Sequence, residues 1–211
     1  MKKPIVIVNF KTYKQGWETL ELANIIESVD RDIIVGLQAT DIYRVSSSTR
    51  LSCYCQHVDY MKPGRNTGFI LPESVQKNGG VGSFLNHSEH SLSIDEIKKT
   101  IIRCKEVGLK TAVFANSFEQ AKKIEEFSPD YLIYEPPELV AGEISVSSAK
   151  PEVISKICKT SKIPVLVGAG IRTHKDVLKS IELGSYGIAI SSAITIAKDP
   201  KSVLKELLGK F

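Results

Sequence analysis

The sequence has few cysteines. Its 211 residues include four of them, Cys53, Cys55, Cys104 and Cys158. None forms a Cys-X-X-Cys pair, and no histidine stands at the spacing of a zinc finger. This scarcity argues against a disulfide-rich secreted scaffold and against a small zinc-bound domain. We therefore interpret the cysteines as small buried hydrophobic residues in a reducing compartment.

Long apolar runs are also missing. No stretch approaches the roughly 20 apolar residues that a membrane-spanning helix needs. The N-terminal segment MKKPIVIVNFKTY is interrupted by Asn9 and Lys11, so its apolar part is too short for the core of a signal peptide. We therefore expect a cytoplasmic protein that does not enter a membrane.

Neither sign of charge is in large excess. The formal net charge is +4, and 25% of the residues are charged while 42% are hydrophobic, which is ordinary for a globular protein. The chain lacks a patch of basic and aromatic residues, so a nucleic-acid partner is not expected. The first apolar run is not followed by Gly-X-Gly-X-X-Gly, which argues against a dinucleotide-binding sheet.

Eight short apolar runs are present, and they recur along the whole chain. They are rich in β-branched residues and show little polar alternation, as expected for parallel strands buried on both faces. The runs are 4–10, 32–37, 51–56, 81–86, 110–115, 131–135, 163–168 and 186–191. Amphipathic segments between them predict helices at about 14–27, 94–107, 117–127, 150–160, 173–183 and 199–209, with shorter helices within 40–49 and at 72–78.

Alternating strands and helices are typical of a closed (β/α)8 barrel or an open doubly wound sheet. Polar residues follow many of the runs, and in a barrel all strand ends surround one mouth. An open sheet would spread them along an edge. The sequence therefore predicts one compact (β/α)8 barrel domain over residues 1–211. The strand-end residues are Asn9, Lys11, Gln56, His57, Asn86 to Glu89, Asn116, Glu135, Gly168 to Gly170, Ser191 and Ser192.

The sixth run ends on an acid, and two prolines follow it in DYLIYEPPEL. Proline fixes its own φ and pushes the residue before it into extended geometry. The carboxylate of Glu135 is thereby held on an extended stub at the end of a strand, which would aim a catalytic base. The alternative is a strand-end acid that pairs with a neighbouring lysine.

Lys11 and His87 follow two other strands. Lys11 alone could be a solvated cap, but it could also be a fixed charge that attracts an anion and stabilises an oxyanion. His87 lies in NHSEH. If Ser88 and Glu89 open a helical turn, their N–H groups would favour a neutral imidazole that can donate to a carbonyl. The remaining histidines, His57, His90 and His174, are interpreted as surface or loop residues.

Small residues follow the last two strands. The segments are GAGIRTHKDV, 168–177, and SSAITIAKDP, 191–200. In barrels, the loops after strands seven and eight frequently bind phosphate, because small residues let backbone N–H groups approach the anion. Together with a carboxylate, a lysine and a histidine, this indicates proton abstraction next to a carbonyl in a small sugar phosphate.

Seven motifs, taken in order, resemble the triosephosphate isomerase family in its short archaeal form. The resemblance covers nearly the whole chain and is most specific in NHSE and YEPPEL. It implies a compact TIM barrel that interconverts glyceraldehyde 3-phosphate and dihydroxyacetone phosphate through an enediol(ate), in glycolysis and gluconeogenesis, without metal or cofactor. The motifs are VNFKTY, QHVDYMKPGRNTG, GGVGSFLNHSE, YEPPELV, SVSSAKPE, VGAGI and AKDP.

The resemblance also implies a role for each site residue. Glu135 would shuttle the proton between C1 and C2, and His87 would polarise the carbonyl oxygen. Lys11 and Asn9 would bind substrate and stabilise the enediolate, with Glu89 supporting them. The substrate phosphate would meet backbone N–H groups of a lid tip within 140–143 and of the last two loops, and these residues are Val140, Ala141, Gly170, Ser191 and Ser192. The loop 65–68 would reach into a neighbouring subunit of a homodimer or homotetramer.

The chain departs from the archaeal pattern at several places. The lid tip reads VAGE where IGTG is usual, His90-Ser91 stands where an arginine is usual, and Ala193 stands where glycine is usual. Two alternatives therefore remain open. One is a catalytically weakened barrel of the same family that binds phosphometabolites. The other is a lyase or synthase that forms a lysine Schiff base, which would need a lysine buried in mid-strand.

Overall fold

Eight parallel strands form a closed barrel in the computed structural model, which describes residues 3–139 and 145–209. Each strand pairs with the next along the chain, and β8 pairs with β1. All eight predicted runs are confirmed as strands, and the open-sheet alternative is wrong. The strands are β1 (Ile5–Asn9), β2 (Ile34–Leu37), β3 (Ser52–Cys55), β4 (Gly82–Leu85), β5 (Lys110–Ala115), β6 (Tyr131–Tyr134), β7 (Val165–Gly168) and β8 (Gly187–Ile190).

Ten α-helices surround the strands within the described ranges. Eight of them match predicted helices, and two single-turn helices, α6 and α9, were not predicted because four residues are too few to show helical periodicity. The helices are α1 (Trp17–Val29), α2 (Ile42–Ser46), α3 (Pro72–Lys77), α4 (Ile94–Val107), α5 (Phe118–Glu125), α6 (Val146–Ala149), α7 (Pro151–Thr160), α8 (His174–Glu182), α9 (Ser192–Thr195) and α10 (Pro200–Leu208). None of them is long and apolar enough to cross a membrane.

The start of α1 was predicted three residues too early. Gly16, which precedes the helix, has φ of 59°, a value that lies outside the right-handed helical region. Its N–H donates to Oδ1 of Asp41 at 3.0 Å. This contact ties the loop after β1 to the segment after β2, and it delays the helix until Trp17.

Two predicted helix starts differ in how completely they are capped. Ser93 accepts from the N–H of Glu96 at 3.2 Å, and the Glu96 carboxylate accepts from the N–H of Ser93 at 2.8 Å, which is a capping box. Ser117 accepts from the N–H of Gln120, but the Gln120 side chain accepts from Asn116 instead of returning to Ser117. The second start is therefore half of a capping box.

Side chains of the strands alternate between the barrel interior and the surrounding helices. The interior cluster includes Ile7, Ile34, Tyr54, Phe84, Ala112, Phe114, Ile133, Leu166 and Ala189. Because the side-chain period of a strand is two, the next inward positions are Asn9 after Ile7 and Glu135 after Ile133. The same alternation that packs the interior thus aims polar side chains into the mouth of the barrel.

All four cysteines are free. Cys53 and Cys55 share the outward face of β3 and are buried with Cys104 among the residues between barrel and helices. Burial raises the pKa of Cys53 and of Cys104 to about 12, and that of Cys55 and of Cys158 to about 11. The prediction of buried thiols is confirmed for three of them, whereas Cys158 is half-buried.

Close packing of β1 on β8 requires a glycine at position 187. A Cβ there would lie 1.9 Å from the carbonyl oxygen of Ile5, which is backbone and cannot turn aside. We expect Gly187→Ala to lower the free energy of unfolding by about 3 kcal/mol or more, measured by urea denaturation. Gly108→Ala is the control for backbone strain alone, because Gly108 has φ of 77°, which costs an alanine about 1–2 kcal/mol, while a Cβ there would meet nothing within 4 Å. An equal loss in both variants would contradict the steric argument.

Candidate active site

One pocket lies at the carboxyl ends of the strands, where the sequence places its polar residues. It brings together most of the predicted site residues, since its lining includes Asn9, Lys11, His87, Glu135, Gly170, Ser191 and Ser192. Tyr13, Phe114, Ile171 and Arg172 also line it. The predicted contacts of Val140 and Ala141 lie outside the described residues.

Glu135 extends β6 by one residue into this pocket. Its N–H donates to the carbonyl oxygen of Ala115 at 3.0 Å, so the neighbouring strand fixes its backbone. Its side chain is 11% exposed, and Oε2 lies 3.1 Å from Nε2 of His87. That contact is not aligned as a hydrogen bond, and Oε2 is buried without a donor among the described residues. The ion-pair alternative also fails within that part of the chain, since no described lysine pairs with Glu135.

The His87 ring is held in one orientation and in one tautomer. Its Nδ1 accepts a hydrogen bond from the N–H of Glu89 at 3.1 Å. An accepting Nδ1 leaves the ring proton on Nε2, so this geometry favours a neutral imidazole. The ring packs edge-on against Phe114 with centroids 4.7 Å apart. The Nε2–H group therefore faces the pocket.

Asn86 aims this histidine. It has φ of 60°, a left-handed conformation that asparagine tolerates better than most residues. Its side chain donates to the carbonyl oxygen of Phe114 at 2.8 Å and accepts from the N–H of Leu92 at 2.9 Å. These two bonds hold the loop after β4 against β5, and they direct His87 toward the pocket.

Lys11 adopts a strained backbone conformation. Its φ is 47°, in the left-handed region that costs an ordinary residue about 1–2 kcal/mol. The side chain of Asn9 accepts from its N–H at 2.9 Å, and the side chain of Gln56 donates to its carbonyl oxygen at 2.7 Å. Its ammonium lies 2.6 Å from Oε1 of Glu89. Neighbouring side chains thus fix both the backbone conformation of Lys11 and the position of its ammonium.

Gln56 has a positioning role that the sequence alone did not assign. It is the inward position after Tyr54, and its Nε2 also lies 3.2 Å from the carbonyl oxygen of Gly36. One amide therefore joins the ends of β1, β2 and β3. The period-two alternation could have identified Gln56 as pointing into the mouth, but its partners depend on the pairing of three strands.

The loops after β7 and β8 present unpaired donors. Ala169 and Gly170 have φ of 77° and 66°, so two successive residues lie in the left-handed region. The Ser191 hydroxyl is buried without a partner, and the N–H groups of Gly170, Ser192 and Ala193 donate to no acceptor in residues 3–139 and 145–209. Unsatisfied donors of this kind suit the oxygens of an anion.

The other histidines differ from one another. His57 is a loop residue as predicted, but it is half-buried, with Nε2 3.2 Å from Oδ1 of Asp59. Burial lowers the pKa of His57 by more than Asp59 raises it. Its ring lies 4.2 Å from that of His90, which occupies the place of the usual arginine. His174 begins α8 and lies 3.0 Å from the carbonyl oxygen of Leu207.

Gly168 leaves room for the carboxylate of Glu135. A Cβ at this position would lie 2.7 Å from Oε1, and that oxygen ends a flexible side chain. We expect Gly168→Ala to displace the carboxylate at little cost in stability. A misplaced base of this kind should lower kcat by about 10- to 100-fold. Steady-state kinetics and thermal melting check this together, and an unchanged kcat would show that the carboxylate position is unimportant.

In the part of the chain that the structure describes, no group of three or more His, Cys, Asp or Glu side chains could hold a metal ion.

Comparison with known proteins gives one consistent result. The sequence model of the family described as triosephosphate isomerase matches residues 4–207. The triosephosphate isomerase of Saccharolobus solfataricus is 40% identical over 218 residues, which cover 99% of this chain and 96% of that protein. That of Methanobrevibacter smithii is 38% identical over 222 residues and covers 100% of both chains.

A solved structure supports the fold independently. The triosephosphate isomerase from Bartonella henselae matches with a TM-score of 0.76, over 96% of this chain and 98% of that one. Its sequence identity is 18%, so this match is evidence for the barrel and for nothing finer.

Proposed function

The chain belongs to the triosephosphate isomerase family, and we propose that it interconverts glyceraldehyde 3-phosphate and dihydroxyacetone phosphate by proton transfer through an enediolate. The observation that carries the proposal is the pair formed by Glu135 and His87. An unpaired carboxylate oxygen and an imidazole N–H lie 3.1 Å apart and face the same pocket. A base for carbon and a donor for oxygen are the two groups that enolisation needs.

Proton transfer follows from this arrangement. Glu135 takes the proton from the carbon next to the substrate carbonyl, while Nε2–H of His87 donates a hydrogen bond to the carbonyl oxygen. The electron pair of the C–H bond then forms the enediolate double bond, and negative charge develops on oxygen. The hydroxyl proton of the neighbouring carbon passes to this oxyanion, a transfer that Nε2 of His87 can relay by giving its proton to one oxygen and taking one from the other. Glu135 returns the carbon proton to the neighbouring carbon as the second carbonyl forms there, so the reaction consumes nothing. Lys11 and Asn9 stabilise the developing oxyanion from the end of β1.

Glu89 supports two of these groups. Its N–H fixes the tautomer of His87, and its carboxylate orients the ammonium of Lys11. The side chain of Glu89 is 58% exposed, so it acts at the edge of the pocket and not in its centre.

The substrate phosphate is assigned to the loops after β7 and β8. Backbone N–H groups of Gly170, Ser191 and Ser192 would donate hydrogen bonds to the phosphate oxygens. The Ser191 hydroxyl, which is buried without a partner among the described residues, supports this placement. Val140 and Ala141 would add further N–H groups from the segment after β6. That part of the proposal rests on the family pattern, because those residues lie outside the described ranges.

Schiff-base chemistry is not supported by the positions of the lysines. The described strands contain one lysine, Lys110. It is exposed at the amino end of β5, opposite the pocket. Lys11 lies beyond the end of β1, and its ammonium is paired with Glu89. Borohydride added with dihydroxyacetone phosphate should therefore leave no covalent adduct, and mass spectrometry can check this.

A coupled assay of glyceraldehyde 3-phosphate conversion, repeated in D2O, tests the reaction. Fast turnover with deuterium incorporated next to the carbonyl is the expected result, since the proton passes through a carboxylate that exchanges with solvent. Phosphate-analogue binding without turnover would instead support the weakened, phosphometabolite-binding barrel. Turnover without deuterium incorporation would contradict the enediolate.

Residues 1–211 would act as one domain in the cytoplasm, in glycolysis and gluconeogenesis, without a metal, a cofactor or a nucleic-acid partner. A homodimer or homotetramer is favoured because the large side chains of Trp17, Tyr43 and Phe69 are exposed. Light scattering on a size-exclusion column would give the mass, and a monomer at micromolar concentration would contradict this.

A further inference from the structure

We infer that Arg172 binds the substrate phosphate, so that affinity depends on a guanidinium as well as on backbone N–H groups. This inference rests on the proposed function and deepens it. Arg172 lines the same pocket as Gly170, Ser191 and Ser192.

The backbone of Arg172 is held close to the phosphate turn. Its N–H donates to Oδ2 of Asp176 at 3.2 Å, and the N–H of Thr173 donates to the same oxygen at 3.0 Å. Ile171, on its other side, is buried at 4% exposure. The Cα atom is therefore fixed two residues after Gly170, while the residue itself remains exposed and its side chain can adjust to a ligand.

The guanidinium of Arg172 has no carboxylate partner among the described residues. Asp176, four residues on, would be its usual helical partner. One oxygen of that carboxylate, Oδ2, already accepts from the Thr173 hydroxyl at 2.8 Å in addition to the two N–H groups, and in the described part of the chain Arg172 forms no ion pair with the other oxygen. Arg103 shows the contrast, since its guanidinium pairs with both Glu73 and Glu106.

Charge in the pocket points to the same residue. Lys11 and Arg172 are the cationic side chains that line it. The ammonium of Lys11 is paired with Glu89 at 2.6 Å, and Glu135 adds a negative charge. The uncompensated positive charge that meets a phosphate dianion is therefore that of Arg172. Its planar fork of donors also matches two phosphate oxygens at once.

The test compares Arg172→Ala and Arg172→Lys with the wild type. In Arg172→Ala, the loss of one charge-assisted contact at the edge of the pocket should raise the KM for glyceraldehyde 3-phosphate about tenfold. The Ki of inorganic phosphate should rise by the same factor. Arg172→Lys should recover part of both losses. The rate with glyceraldehyde, which has no phosphate, should not change. Lys175→Ala, an exposed neighbour outside the pocket lining, is the matched control.

Two results would overturn the inference. One is a change of less than twofold in KM and in phosphate Ki for Arg172→Ala. The other is an equal loss with glyceraldehyde and with its phosphate, which would indicate a general disturbance of the site. If the wild type itself is inactive, the proposed function fails, but calorimetric titration with inorganic phosphate still tests Arg172. Equal phosphate affinity of wild type and Arg172→Ala would then refute its role.

Discussion

Glu135→Gln is expected to lower kcat by about 10²- to 10⁴-fold, with a much smaller change in KM. Glutamine keeps the size and planarity of the side chain but cannot accept the proton. The carboxylate oxygen that faces His87 is buried and accepts from no described donor, so it is available to take the substrate proton. The loss should appear equally in both directions of the reaction, because one group serves both carbon atoms.

Glu138→Gln is the matched control for this substitution. Glu138 lies three residues further along the chain, is exposed, and pairs with Lys150. An exposed pair contributes at most about 1 kcal/mol to stability, so activity and thermal midpoint should hardly change. If Glu135→Gln kept kcat within tenfold of the wild type while remaining folded, another group would have to be the base.

Lys11→Met is expected to lower kcat by about 10²- to 10³-fold and to raise KM as well. Methionine preserves most of the length of the side chain and removes its charge. The ammonium of Lys11 lies in the pocket with the proton-transfer pair, so the oxyanion would lose its nearby cation. Because Asn9 and Gln56 hold the strained backbone through its N–H and C=O groups, the loop should keep its shape.

The control for Lys11→Met is Lys14→Met. Lys14 belongs to the same loop but does not line the pocket, so its charge should matter little. Circular dichroism would verify that both variants fold alike. The interpretation of Lys11 as an electrostatic group would be wrong if both substitutions changed kcat by the same factor.

The barrel could be predicted from the sequence because strands buried on both faces appear as continuous apolar runs. Its finer features could not. The helix α1 begins at Trp17 because Gly16 contacts Asp41, and these residues meet only after β1 and β2 pair. The single turns α6 and α9 have four residues each, which is too few to carry a periodic signal of their own.

The site likewise has residues that the local sequence predicts and features that depend on contacts between strands. Asn9 and Glu135 were found because each is a polar residue at the end of an apolar run, and two prolines follow Glu135. The left-handed backbone of Lys11 and the amide of Gln56 that holds it depend on contacts between strands. The period-two alternation of β3 points Gln56 into the mouth, but no local pattern indicates the left-handed backbone of Lys11 or the hydrogen bond that holds it. Phosphate binding by residues 140–143 stays a prediction, because they lie outside the described residues.

The four free cysteines give the protein a practical property. Thiol reagents attack the thiolate, and pKa values of about 11 to 12 leave very little thiolate at neutral pH. The native chain should therefore react slowly with maleimides. A cysteine introduced at an exposed position, such as Lys201→Cys, would then react selectively. A fluorophore could be attached at one chosen site without first removing the native cysteines.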